Sequence, residues 1–387
     1  MTNEQQQILL EKVIQLRNQF HKRSKEVDQS GVFPHENFKE LKDSGYLSWT
    51  VPKKYGGLGL NLYDFLRMQE QLAQGDGATA LSIGWHLGSI LELSENDSWN
   101  EAAFRNLCQK VVNEQALINR TATEKGTGSP TRGGVPETKA TLQGDQWVIN
   151  GRKSFASMAE ALDYSLVTAH IEDTDRVGIF LVDHKHDGVK VEPTWNSASM
   201  RGTRSDDLVL QGVTVPKENF VEEEGKQVNP PFPKGWLLHI PACYLGIASA
   251  ARQYAIDFAS SYQPNSLPGP IKEVPEVQRK IGEMELALFQ SREILYSVAQ
   301  RWTACPESRG NIGTELSAVK HIVTNQAVHV VDLAMKIVGA RSLSRDCPLE
   351  RYHRDVRSGL HNPPMDDTVI KKLASKALEE SQPTVTL

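Results

Sequence analysis

Apolar residues recur at helical spacing from the start of the chain, with Leu9, Val13, Leu16 and Phe20 on one face, and Pro34 to Ser44 reads as a second, short helix ended by Gly45. Helix resumes at Leu62. The run GATALSIGWHLGSILEL is apolar enough to bury a helix on all sides, with Gly84 and Gly88 permitting close packing. From about Leu117 the period shortens to two. The runs ETKATLQ, QWVINGRKSF, DYSLVTAHI, VGIFLVD, VKVEPTW and DDLVLQGVTV, separated by Gly-Asp and Asn-Gly pairs, predict a β domain of about a hundred residues. Within it WVINGRKSFAS reads as a hairpin turning at Asn150-Gly151. Beyond the charged, proline-rich VEEEGKQVNPPFPKG, two near-heptad stripes appear: Ile281, Met284, Leu288, Leu295, Val298 and Trp302, then Leu316, Val319, Val323, Val330 and Ile337. They predict helix-on-helix packing. The expected fold is therefore α+β, mainly α: an N-terminal helical domain over 1–118, a barrel- or sandwich-like middle β domain over 119–226, and a C-terminal four-helix bundle over 227–387.

A chain of 387 residues has room for a buried cofactor site. Its 43 basic and 48 acidic residues leave a net charge of −5, without the basic excess that nucleic acid or an anionic membrane selects. No apolar run approaches the roughly 20 residues that cross a bilayer, and the polar start MTNEQQQILLEK does not read as a signal peptide, so a cytoplasmic location is expected. Cys108, Cys243, Cys305 and Cys347 are widely spaced and suggest neither a metal site nor disulfides. The glycine-rich VPKKYGGLGL lacks the strand context and Lys-Ser/Thr ending of a phosphate-binding loop.

Local motifs carry the chemistry. In TATEKGTGSPTRGG, glycines let backbone approach a flat ring while hydroxyls and amides meet its polar edge. Thr123, Glu124, Gly126, Gly128 and Ser129 resemble the TEPGAGSD signature of the acyl-CoA dehydrogenase family. PKKYGGLGL, WVINGRKSFAS, RGTRSDDLVLQGVTVP and PLERYHRDVR follow in the family's order, so the resemblance spans nearly the whole chain. It implies a bound FAD, with Thr121, Thr123, Gly128, Ser129, Phe155, Ser157, Lys336, Gly339 and Thr368 as cofactor-binding positions. Phe155 and Ser157 stand where the family usually has Trp and Thr; they imply a ring-covering aromatic and a hydroxyl near flavin N5. The resemblance also implies a homo-oligomer, an acyl-CoA substrate, an electron-transfer flavoprotein as partner, and contacts to substrate from His86, Trp236 and His239. Alone, His86 in its apolar run reads as a core residue.

Two departures complicate the activity. In HRDVRSGLHNPPMDD the family's catalytic glutamate falls on Pro363 without gaps, or on Asp366 if three residues are inserted. The segment matching the family's phosphate-binding arginine, SSYQPNSLPGPIKE, contains none. Both departures resemble the reduced-flavin monooxygenase branch, in which a Leu-His-Asp-Pro-like segment replaces the glutamate loop. Here Leu360-His361-Asn362-Pro363 would take that place, with FMN or FAD delivered reduced by a flavin reductase. A histidine side chain is apt to exchange a proton near neutral pH. The main expectation is dehydrogenation of an acyl thioester with Asp366 as base; the alternative is oxygenation using His361, His86 and Ser157, and the third is flavin binding without either chemistry.

Overall fold

The computed structural model describes residues 3–96, 98–127, 134–224 and 233–380. Two compact units divide the chain, Met1–Phe232 and Pro233–Leu387. The first begins with five helices: α1 (Asn3–Ser30), α2 (His35–Asp43), α3 (Leu62–Ala73), α4 (Gly77–Asn96) and α5 (Glu101–Glu114). Asn61 starts α3 by accepting the Asp64 N–H at 2.9 Å, and Asp76 does the same for the Thr79 N–H at 2.9 Å in α4. The apolar run of α4 is buried on nearly every side, as its composition demands.

Eight strands follow among the described residues: β1 (Ile118–Thr121), β2 (Lys139–Gln143), β3 (Gln146–Ala156), β4 (Tyr164–Ile171), β5 (Val177–Asp183), β6 (Val189–Glu192), β7 (Asp206–Pro216) and β8 (Phe220–Glu224). They form one sheet, seven of them in the order β6-β7-β3-β2-β4-β5-β8 and the eighth, β1, pairing with β4 off this path. β1 lies parallel to the first half of β4, and β2 parallel to its end. Trp147, Ile149, Val167, Phe180, Val182, Leu210 and Val215 form the core, with Trp147 meeting Phe180 edge-on at 5.2 Å.

The structure corrects the hairpin at Asn150-Gly151. β3 runs straight through this pair, and the register against β7 shifts there instead. Asn150 Oδ1 accepts the Gly212 N–H of β7 at 2.7 Å, so the side chain bridges the bulge. A Cβ on Gly151 would meet Thr138 Cα at 2.6 Å, which explains the glycine. The true turn between β2 and β3 contains Gly144, at φ 60.

In the second unit, α6 (His239–Ser261), α7 (Pro275–Ala304) and α8 (Gly313–Val338) are long, and α9 (Pro348–Arg357) and α10 (Asp366–Glu380) are short. α8 contacts the other four. The expected bundle is thus three long helices completed by shorter pieces. Every residue of the α8 stripe is buried, as are Met284, Leu288, Leu295, Val298 and Trp302 of the α7 stripe. Each such burial contributes about 2 kcal/mol. No helix among the described residues is long and apolar enough to cross a membrane.

Candidate functional site

Three separate stretches of the first unit converge at one end of β3. The backbone after β1 runs beside it, because the Ser154 N–H donates to the Thr123 carbonyl at 2.8 Å. Asn119 Nδ2 of β1 donates to the Ser157 carbonyl at 3.2 Å. Below them lies a buried ion pair, Lys153 Nζ to Glu124 Oε1 at 2.5 Å, with both side chains almost entirely inaccessible. Glu124 also accepts the N–H groups of Glu137 and Thr138 and the Thr127 hydroxyl. Burial pushes its carboxyl up, but Lys153 and these donors outweigh that and bring it down to about 2. The TEKG segment and the RKSFAS segment are therefore stapled together through their charged residues.

Above this staple β3 shifts register a second time, between Lys153 and Ala156. Phe155 adopts a left-handed backbone at φ 58 and stands 64% exposed, its ring edge-on to Trp195 at 5.9 Å. Ser157 is buried, with Oγ 2.9 Å from Ser205 Oγ. Thr123 is half-buried, while Thr121 is buried and its hydroxyl faces the Leu166 carbonyl at 3.5 Å. Gly128 and Ser129 lie outside the described residues. An uncovered aromatic face beside fixed hydroxyl groups fits a planar, polar-edged cofactor such as a flavin. Among the described residues no group of three or more His, Cys, Asp or Glu is placed to hold a metal.

His86 does not take the substrate-contacting position expected for it. It is fully buried; Nδ1 accepts the Ile118 N–H at 3.1 Å, so Nε2 carries the proton and donates to the Leu47 carbonyl at 2.9 Å. Both nitrogens are spent on tying α4 to β1 and to the turn before α3. Burial lowers its pKa to about 4. In the second unit, His239 and Trp236 are likewise buried, stacked at 5.8 Å, and burial lowers His239 to about 3. Neither offers the exposed polar edge expected of a substrate contact.

These two histidines make stability acid-sensitive. Above 6.5, their ordinary value, both are neutral folded or unfolded. Below it the unfolded chain binds protons that the fold refuses, so stability falls by about 1.4 kcal/mol per pH unit for each, down to their folded values. Urea unfolding between pH 7 and pH 5, where carboxylates titrate little, is expected to show this decline. A flat profile would contradict it.

The second unit holds the two acid–base candidates. Gly359, His361 and Asn362 follow α9, and the loop is pinned to α6: Tyr244 donates to Asn362 Oδ1 at 2.6 Å, and a Cβ on Gly359 would meet the Tyr244 ring at 2.8 Å. Burial foremost raises the Tyr244 hydroxyl well above its ordinary value, so it stays a donor. His361 projects from this anchored loop with its side chain exposed. Asp366 begins α10 and is engaged by His321 Nδ1 at 3.1 Å, Asn325 Nδ2 at 2.9 Å and the buried Lys320 ammonium at 3.6 Å. Burial pushes its carboxyl up, but Asn325, His321 and Lys320 outweigh that and hold it below the usual value. Such a group binds a proton weakly and serves to fasten α10 to α8.

Lys336 and Gly339 are exposed at the end of α8, where a lysine complements the helix dipole. Thr368 is exposed, with its N–H on Asp367 Oδ1 at 2.8 Å. Lys153, Ser205, Thr203 and Tyr244 were not singled out from sequence. Lys153 alone had a signal: a charged residue between apolar positions of a strand needs a buried partner.

The sequence matches the family descriptions of the acyl-CoA dehydrogenase N-terminal domain over residues 2–95, the middle domain over 120–213 and the C-terminal domain over 238–362. It is 52% identical over 381 residues to YdbM of Bacillus subtilis, provisionally named an acyl-CoA dehydrogenase, covering 97% of this chain and 98% of that one. The dibenzothiophene monooxygenase TdsC of Paenibacillus sp. A11-2, solved with FMN and indole, superposes with a TM-score of 0.86 at 24% identity, over 97% of this chain and 98% of that one. Butyryl-CoA dehydrogenase of Megasphaera elsdenii does so with a TM-score of 0.86 at 22% identity, over 98% of each.

Proposed function

The chain belongs to the acyl-CoA dehydrogenase family, and from that premise we propose that it is a flavin-dependent oxidoreductase working as a reduced-flavin monooxygenase. The observation that carries this is the loop after α9, which presents His361 on an anchored backbone while Asp366 is bound up in ion pairs. Phe155 would cover one face of the ring, and Thr123 and Ser157 would meet its polar edge. The flavin, FMN or FAD, would supply two electrons to molecular oxygen, one atom going to the substrate and the other leaving as water. His361 takes and returns a proton at its ring nitrogen. A flavin reductase is the implied partner, and the substrate is a small molecule.

Dehydrogenation of an acyl-CoA is the second candidate, favoured by the family and by the relative at 52% identity. It would use FAD, an electron-transfer flavoprotein and Asp366 as base. The discriminating experiment is anaerobic titration of the flavin-loaded protein with short, medium and branched acyl-CoA thioesters. No bleaching of the flavin is expected; bleaching by any of them would overturn the oxygenase assignment.

Self-association is part of the proposal. Leu286 and Phe289 on α7 stand 58% and 63% exposed, an apolar pair better covered than wetted. A homo-oligomer is expected in sedimentation experiments, with Phe289→Glu shifting it to smaller species. A monomeric wild type would contradict this.

A further inference from the structure

Ser157 is the outer end of a hydrogen-bonded chain with a fixed direction. Its Oγ lies 2.9 Å from Ser205 Oγ, which lies 2.9 Å from Thr203 Oγ1, and Thr203 Oγ1 lies 2.9 Å from the Met200 carbonyl. A carbonyl only accepts, so the single Thr203 hydroxyl proton is directed at Met200. Thr203 can then only accept from Ser205. Ser205, its one proton spent, can only accept from Ser157. The order is locked by burial, since Thr203, Ser205 and Ser157 are 1%, 6% and 8% exposed. The backbone of Thr203 is held as well, its N–H donating to the Met200 carbonyl at 3.1 Å and its carbonyl accepting the Met158 N–H at 2.8 Å. Ser157 therefore gives its proton inward and keeps only lone pairs for a ligand.

We propose that Thr203 and Ser205, acting through Ser157 as positioning residues, turn the flavin-facing hydroxyl into a hydrogen-bond acceptor and so select reduced over oxidised flavin. This rests on the flavin assignment above and on the place near N5 that the family resemblance gives Ser157. Oxidised isoalloxazine has a bare lone pair at N5 and needs a donor there. The two-electron-reduced ring carries N5–H and needs an acceptor. Facing Ser157, the oxidised ring opposes two acceptors, while the reduced ring extends the run of donors through Ser157, Ser205 and Thr203 to Met200. One hydrogen bond made instead of two acceptors opposed favours the reduced form by about tenfold or more.

The test is anaerobic titration of the full-length apoprotein with oxidised and with photoreduced FMN, together with the midpoint potential of bound FMN. Wild type is expected to bind reduced FMN at least about tenfold more tightly, raising the two-electron potential by about 30 mV over free FMN. Ser205→Ala releases the Ser157 proton, so affinity for oxidised FMN is expected to rise and the potential to fall; loss of packing alone would not produce a gain. Thr203→Val is expected to act the same way, and Thr203→Ser to retain the wild-type ratio. Equal affinity for the two forms in wild type, or an unchanged ratio in a Ser205→Ala protein that binds both, would overturn the relay and leave the flavin assignment standing. Failure to bind either form would overturn both.

Discussion

Replacing His361 with alanine is expected to speed the return of oxidised flavin from protein-bound reduced flavin, toward the rate of free flavin, by about 10²-fold, the scale of a lost acid–base group. Asp366→Asn is expected to leave that rate nearly unaltered. The difference follows from occupation. His361 is exposed on a loop whose position is fixed by the Tyr244–Asn362 hydrogen bond, whereas Asp366 is engaged by Lys320, His321 and Asn325. Losing the Asp366 charge should loosen α10 instead, by about 1 kcal/mol or less because the pair is partly solvated, read as faster proteolysis of the C-terminal segment. A reversed pattern, with Asp366→Asn abolishing reactivity and His361→Ala silent, would return the chemistry to a carboxylate and to dehydrogenation.

The second large effect is on stability. Lys153→Met should lower the unfolding free energy by about 3 to 5 kcal/mol, since it strands the Glu124 carboxylate in the interior without its ammonium partner. The double variant Glu124→Gln/Lys153→Met should recover part of the loss, because no unpaired charge remains. Urea midpoints of the wild type, both single variants and the double variant measure this coupling. Additive losses would mean that the pair is not energetically linked. The pair also carries the site: it joins the segment holding Thr123 to the segment holding Phe155 and Ser157, so Lys153→Met is expected to weaken flavin binding as well.

Much of the fold was legible because it rests on periodicity. The stripes ending at Trp302 and Ile337 and the alternating runs after Leu117 obey the helical and strand repeats that burial imposes. The Asn150-Gly151 pair misled because the same two residues serve a tight turn or a bulge. What decides between them is Gly212 on β7, sixty-odd residues away, reaching the Asn150 side chain. Phe155 shows the limit more sharply. Strict alternation from Trp147 and Ile149 points it inward, and only the second register shift, with its left-handed backbone, turns the ring out. His86 was read both as a core residue and, through the family resemblance, as a substrate contact; the backbone groups of Leu47 and Ile118 that occupy its nitrogens come from distant segments. Candidate chemistry was legible as motifs. The direction of the Ser157 chain was not, since it depends on Thr203 and Ser205 meeting Ser157 across the sheet.

The most direct measurement mixes anaerobically reduced FMN with oxygen in a stopped-flow instrument, with and without excess protein, and follows the return of oxidised-flavin absorbance. With wild-type protein a distinct, slower return than for free FMN is expected, and His361→Ala should abolish the difference. A return identical to that of free FMN, with wild-type protein present in excess over its measured Kd for reduced FMN, would contradict the assignment.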